Sequence, residues 1–157
     1  MLQHNLTFLH SILRYFILLF ALIVVIQSLT GMMGKKKFTG SNKPPALVLL
    51  ICCDVQLLLG LALYFSNGWL SAFSGGDVMK DPVKRFYAVE HAVSMIIAIV
   101  LVHVGYSVIK KNINDDKKFK RLFWCSFVAL GIFLAMIPWE GKQLVGRPNI
   151  PSMRMPS

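Results

Sequence analysis

Seven ionisable side chains fall within or at the edges of long apolar runs: His10, Arg14, Asp54, Glu90, His91, His103 and Glu140. Charge in such surroundings is costly and is retained where it has a use. His10 and Arg14 stand one helical turn apart and share a face with Ile17, Ala21 and Ser28, while His91 shares a face with Met95, Ala98, Val102 and Gly105. Faces that combine polar with small residues turn inward in membrane bundles. Two histidines at one depth on different helices could bind one ion or both faces of a haem iron, because neutral imidazole is a common ligand and bundles build cofactor sites from facing side chains. Ring centres closer than about 8 Å are expected to leave only a direct contact or a bare ion. A haem-free arrangement instead leaves His10 and Arg14 reaching for headgroups and pairs Glu90 with Arg14 or Lys84.

Asp54 stands in the middle of its run, a placement that costs roughly 2.5–3.5 kcal/mol on insertion scales, against roughly 0.3–0.6 kcal/mol returned by each neighbouring Leu, Ile, Val or Phe. The run still inserts, and the carboxylate is expected to face the bundle interior or a wet cavity. His103 lies about 120° around its helix from His91, so it either faces Asp54 or packs with a hydrogen bond elsewhere. Asp54 is alternatively hydrogen-bonded to a neighbouring helix alongside Gln56. Glu140, just past Pro138 and Trp139, joins the polar cluster by depth, either as a functional carboxylate or as a solvated helix end.

Four elements must position these groups. Of 157 residues, 55% are hydrophobic and 15% charged, which excludes an ordinary water-soluble core. Four apolar stretches each approach the ~20 residues that cross a ~30 Å hydrocarbon layer, and backbone in lipid must bond internally, so each is a helix. The fold class is all-α, one four-helix transmembrane domain with helices over about 6–33, 45–66, 82–110 and 117–138. Pro44 and Pro45 suit a first turn, Asp81 followed by Pro82 reads as N-cap and N1, and Asp115 or Asp116 could cap the fourth helix. Trp69, Tyr87 and Trp139 are expected at one membrane interface, Tyr106 and Trp124 at the other. The prolines at 148, 151 and 156 predict an extended or flexible tail over 141–157.

The formal net charge is +10, yet the cations lie in short runs between apolar stretches, which is membrane topology and not a nucleic-acid surface. The loops from Lys35 to Lys43 and from Lys110 to Arg121 hold ten of them, so those loops are expected in the cytoplasm and both termini outside. Met1 to Thr7 has neither the basic region nor the cleavage site of a signal peptide. Cys52, Cys53 and Cys125 lie within the spans and are expected to be free packing residues. Covalent-haem, phosphate-loop, G-x-S-x-G and H-E-x-x-H motifs are absent.

At these residues the chain resembles a small four-helix membrane family found in Bacteroidetes and commonly labelled cytochrome b. The likeness runs from about Leu9 to Trp139, through Leu9-His10-Ser11-Ile12-Leu13-Arg14-Tyr15, Gln56-Leu57-Leu58-Leu59-Gly60-Leu61, Val78-Met79-Lys80-Asp81-Pro82, Phe86-Tyr87-Ala88-Val89-Glu90-His91 and Ile137-Pro138-Trp139. It implies haem b as cofactor and His10 and His91 as ligands of the haem iron, with Arg14 offsetting propionate charge. It also implies a histidine at the position of Asp54, where this chain departs, and a carboxylate is not a usual axial ligand for such a haem.

On that likeness the chain is expected to be an electron-transfer subunit of the bacterial inner membrane rather than a stand-alone enzyme, with lipid and other membrane or respiratory subunits as expected partners. The residues alone also allow a haem-free protein, either a proton-coupled transporter-like bundle using Asp54 and His103 or an accessory subunit of a larger complex.

Overall fold

The computed structural model describes residues 2–76, 78–143 and 145–146. Within them lie four helical spans of 32, 27, 25 and 22 residues, all long and apolar enough to cross a membrane. The first is α1 (Leu2–Met33). It begins earlier than the expected position near residue 6, because its polar first turn is anchored: Gln3 Nε2 donates to Asn67 Oδ1 at 2.6 Å, and Thr7 Oγ1 to the Gln3 carbonyl at 2.9 Å. The second span contains α2 (Lys43–Ser66), with its prolines in the first turn, where their missing N–H groups cost no helix bond. It stops at Asn67 and Gly68, the latter at φ +69°, a left-handed conformation that glycine adopts without Cβ strain. A single turn, α3 (Trp69–Ala72), follows.

Asp81 opens the third span as expected, accepting from the Val83 and Lys84 amides at 2.8 and 3.2 Å. After one α-turn, α4 (Pro82–Arg85), the chain widens into a π-turn over Phe86–His91 and returns to α5 (Ala92–Tyr106). That span ends at Tyr106 rather than near 110, because the next residues form tight turns that bury Val108 and Ile109 under the bundle. The fourth span is α6 (Asp115–Met136), displaced from the expected 117–138. Its cap is Asn114, which accepts from the Asp116 amide, so neither aspartate fills that role. Extended backbone at Ile137, before Pro138, ends it.

The spans form a ring in which α1 packs on α2 and α6, α6 packs on α5, and the α2–α5 edge is the sparsest. The core is made of Ile17, Ala21, Val24, Leu49, Cys53, Ala98 and Phe133, with large apolar side chains such as Phe16, Leu58, Ile96 and Phe127 left exposed outside, the inside-out pattern of a lipid-facing bundle. Cys52, Cys53 and Cys125 are free, as expected.

Phe38 and Phe119 meet at 5.2 Å, bringing both lysine-rich loops to one end of the bundle. His10 and His91 lie toward the other end. The expected tail falls mostly outside the described residues. Its described start is not extended: the Gly146 amide bonds back to the Lys142 carbonyl, and the Val145 carbonyl accepts from Tyr87 Oη at 2.6 Å.

Candidate functional site

The π-turn delivers His91. Hydrogen bonding from i to i+5 brings residues five apart onto one side, and Arg85 and Glu90 accordingly pair at 2.8 Å on the outside of the turn. Glu90 was expected to meet Arg14 or Lys84. Its partner is Arg85, both are substantially exposed, and Glu90 does not line the cavity that holds the histidines.

His91 points inward, and its Nδ1 lies 2.9 Å from the Met136 carbonyl oxygen. A carbonyl can only accept, so Nδ1 carries the proton. In the neutral ring the lone pair therefore sits on Nε2. The bond also completes the end of α6, whose last four carbonyls would otherwise lack partners. The Phe133 carbonyl is met by the Ile137 amide, Leu134 by the Trp139 indole, Ala135 by the Lys142 ammonium and Met136 by His91.

His10 reaches the same space from α1, and the two imidazole centres are 6.5 Å apart with ring planes at 60°. Glycine at position 60 leaves room beside the His10 ring, where an added Cβ would come to within 3.5 Å of Cε1. Gln56 fixes the depth of α2 against α1 by donating to the His10 carbonyl at 2.9 Å. Its own Oε1 is buried with no hydrogen-bond partner among the described residues. Such an acceptor costs about 1–3 kcal/mol unless something in the site meets it.

Arg14 is 9% exposed, one turn below His10. Its guanidinium lies 4.9 Å from the Tyr15 ring centre and 5.9 Å from a Trp139 ring centre, and Nη2 donates to Tyr15 Oη at 3.2 Å. A guanidinium stacked among aromatic faces with little water is a strong anion-binding group. Trp69 stacks on Tyr87 at 5.8 Å beside His91, and Tyr64 Oη donates to the Ala88 carbonyl within the π-turn. Trp69 and Tyr87, expected with Trp139 as an interfacial belt, thus also line the cavity, and Trp139 stands beside Arg14.

The cavity between the histidines, Arg14, Gln56 and Tyr64 has a volume of about 190 Å³. Two imidazoles bound at about 2.0–2.1 Å on opposite sides of one ion have ring centres roughly 6 Å apart, so the expected 8 Å limit on haem was too wide. The observed separation matches such a pair. Among the described residues no group of three or more His, Cys, Asp or Glu side chains could hold a metal ion. A zinc site takes four ligands, whereas haem iron asks the protein for only two.

In number and in ring separation the two imidazoles are compatible with haem iron. The space is smaller than the roughly 300–1,000 Å³ of small-molecule sites, so a macrocycle does not enter it unless the bundle widens.

The remaining residues lie elsewhere. Asp54 and His103 meet, with Oδ1 and Nε2 at 3.2 Å, but both side chains are 48% exposed on the outer surface of the α2–α5 edge. The expectation of an inward or cavity-facing carboxylate is corrected: the helix rotation that buries Cys53 turns its neighbour outward. Glu140 is exposed and does not line the cavity. Sequence reasoning missed the π-turn, for which Phe86–His91 carries no Gly or Pro signal, and it missed Tyr15 and Tyr64. No protein-family model, curated protein or solved structure matches this chain.

Proposed function

We propose that this membrane protein is a haem b electron-transfer subunit of the cytochrome-b-like kind. The observation that carries the reading is the His10–His91 pair, two imidazoles from different spans with centres 6.5 Å apart at the edge of one cavity. His10 and His91 would hold the iron. Haem, when bound, supplies a one-electron couple whose potential responds to its axial ligands and surroundings.

The chain's own residues prepare that site. The Met136 carbonyl holds the His91 ring in one tautomer and orientation, as outer partners of metal-bound histidines do. Arg14 offers its buried positive charge to carboxylates on the cofactor's edge, and the apolar lining, with Ile17, Met95 and Phe133, excludes water. The lysine-rich loops would face the cytoplasm of a bacterial inner membrane, which puts the histidines toward the outer face. Partner subunits would exchange the electron.

Purified protein should be coloured, with a Soret band that shifts on dithionite reduction and is lost in both His10→Ala and His91→Ala. A colourless preparation that stays colourless after haem is added overturns the reading and leaves a haem-free transporter or accessory subunit.

A further inference from the structure

Phe38 and Phe119 force the cations of two loops together. Phe38 follows Lys35, Lys36 and Lys37, Phe119 stands between Lys118 and Lys120, and the two rings meet at 5.2 Å. The Lys118 ammonium lies 5.4 Å from the Phe38 ring centre, so a cation of α6 rests on a ring of the first loop. The two runs hold ten cations, nine of them exposed, against two carboxylates, Asp115 and Asp116. Asp116 is taken by Lys120 at 2.8 Å. Arg121 makes no ion pair with a carboxylate among the described residues. Like charges held within a Debye length, about 10 Å at 0.1 M salt, repel one another, so this end of the bundle needs anions from outside the chain.

The surface beside those cations selects the kind of anion. Arg121 is followed on the same face of α6 by Trp124, one turn on, and then by Val128, with Phe127 alongside, and all three apolar side chains are exposed. Trp124 is 59% exposed, and its indole N–H meets no acceptor among the described residues. On the first loop, exposed Met33 likewise borders Lys35. A soluble polyanion would answer the charge and leave this apolar face uncovered. A partner that joins an anionic group to hydrocarbon chains answers both.

We propose that the lysine-rich end is a binding surface for anionic phospholipid. The phosphate is held by Arg121 together with Lys117 and Lys118, which stand one turn before it on α6, and the chains lie along Trp124 and Phe127. The Trp124 N–H is placed to donate to the polar boundary of the lipid, as interfacial indoles do. Bound lipid also relieves the repulsion that the Phe38–Phe119 contact imposes.

The experiment uses the full chain in membranes containing brominated-chain phosphatidylglycerol or, separately, brominated-chain phosphatidylcholine, and reads quenching of Trp124 as the part of the fluorescence change that is lost in Trp124→Phe. Stronger quenching by the anionic lipid, reduced by high salt, is the expected result. Arg121→Gln and Lys118→Gln should each lower the preference by about fivefold, the equivalent of one cation near a membrane surface. Lys84→Gln, at the opposite end, should leave it unchanged. Two headgroups are compared on one protein, so the outcome does not depend on whether haem binds. Equal quenching by the two lipids, a preference that survives in both Arg121→Gln and Lys118→Gln, or a preference erased by millimolar glycerol 3-phosphate, which has the phosphate without the chains, would each overturn the proposal.

Discussion

His91 of the third span donates from Nδ1 to the carbonyl oxygen of Met136, the last residue of α6, at 2.9 Å. One bond therefore ends one helix and orients a side chain of another. His91→Ala should cost about 1–3 kcal/mol through the orphaned carbonyl, whereas His91→Asn, which retains a donor, should recover part of the loss. Denaturant unfolding in detergent checks this. Equal stability of the wild type and His91→Ala would mean that the bond contributes nothing.

Gly31 is buried against the ring of Phe119, and a Cβ there would overlap the ring atoms. Phe119 is itself 2% exposed beside Phe38, so the ring has little room to retreat. Gly31→Ala is expected to destabilise by about 1–3 kcal/mol despite its better helix propensity. At Gly131 an added Cβ meets nothing within 4 Å. Gly131→Ala should therefore be neutral or slightly stabilising, which a pair of thermal melts would reveal.

Asp54 and His103 form a pair whose members should be harder to lose singly than together. His103→Leu leaves Asp54 in hydrocarbon, at a cost on the order of 2.5–3.5 kcal/mol on insertion scales, and Asp54→Leu with His103→Leu removes that cost. A double-mutant cycle on membrane-inserted yield or unfolding free energy reads the coupling. Additive effects would show that the 3.2 Å contact carries no energy.

The loops around Ser41 and Lys117 share one end of the bundle, so they should share one side of the membrane. A cysteine at Ser41 should be shielded from an impermeant thiol reagent added to intact cells and become labelled after permeabilisation. Labelling from outside would reverse the proposed orientation and place the histidines toward the cytoplasm.

Much of this was legible in the residues because lipid leaves few options. Four long apolar runs, with prolines in a first turn and aspartate before proline, state four helices and several of their ends, since unsatisfied backbone is prohibitive in hydrocarbon. The inward face of α1 could be read from Arg14, Ile17, Ala21 and Ser28 because small and polar residues recur at helical spacing, and all four are buried. The meeting of His10 with His91 followed from equal depth on two such faces.

Other features depend on contacts between helices that no local pattern encodes. The π-turn that sets the direction of His91 is a change in backbone register without a Gly or Pro marker, and the proton position on that ring is decided by a carbonyl 45 residues away. Glu90 found Arg85 because the widened turn aligned them. Asp54 lies outside the bundle because packing of α2 chose Cys53 as the buried neighbour, and periodicity across a run of leucines cannot show which side will be covered. The sequence determined that four helices cross lipid and which residues are chemically unusual within them. Their rotation about their own axes was left to tertiary packing, because a helix that is apolar on all sides has no preferred face until a neighbour supplies one.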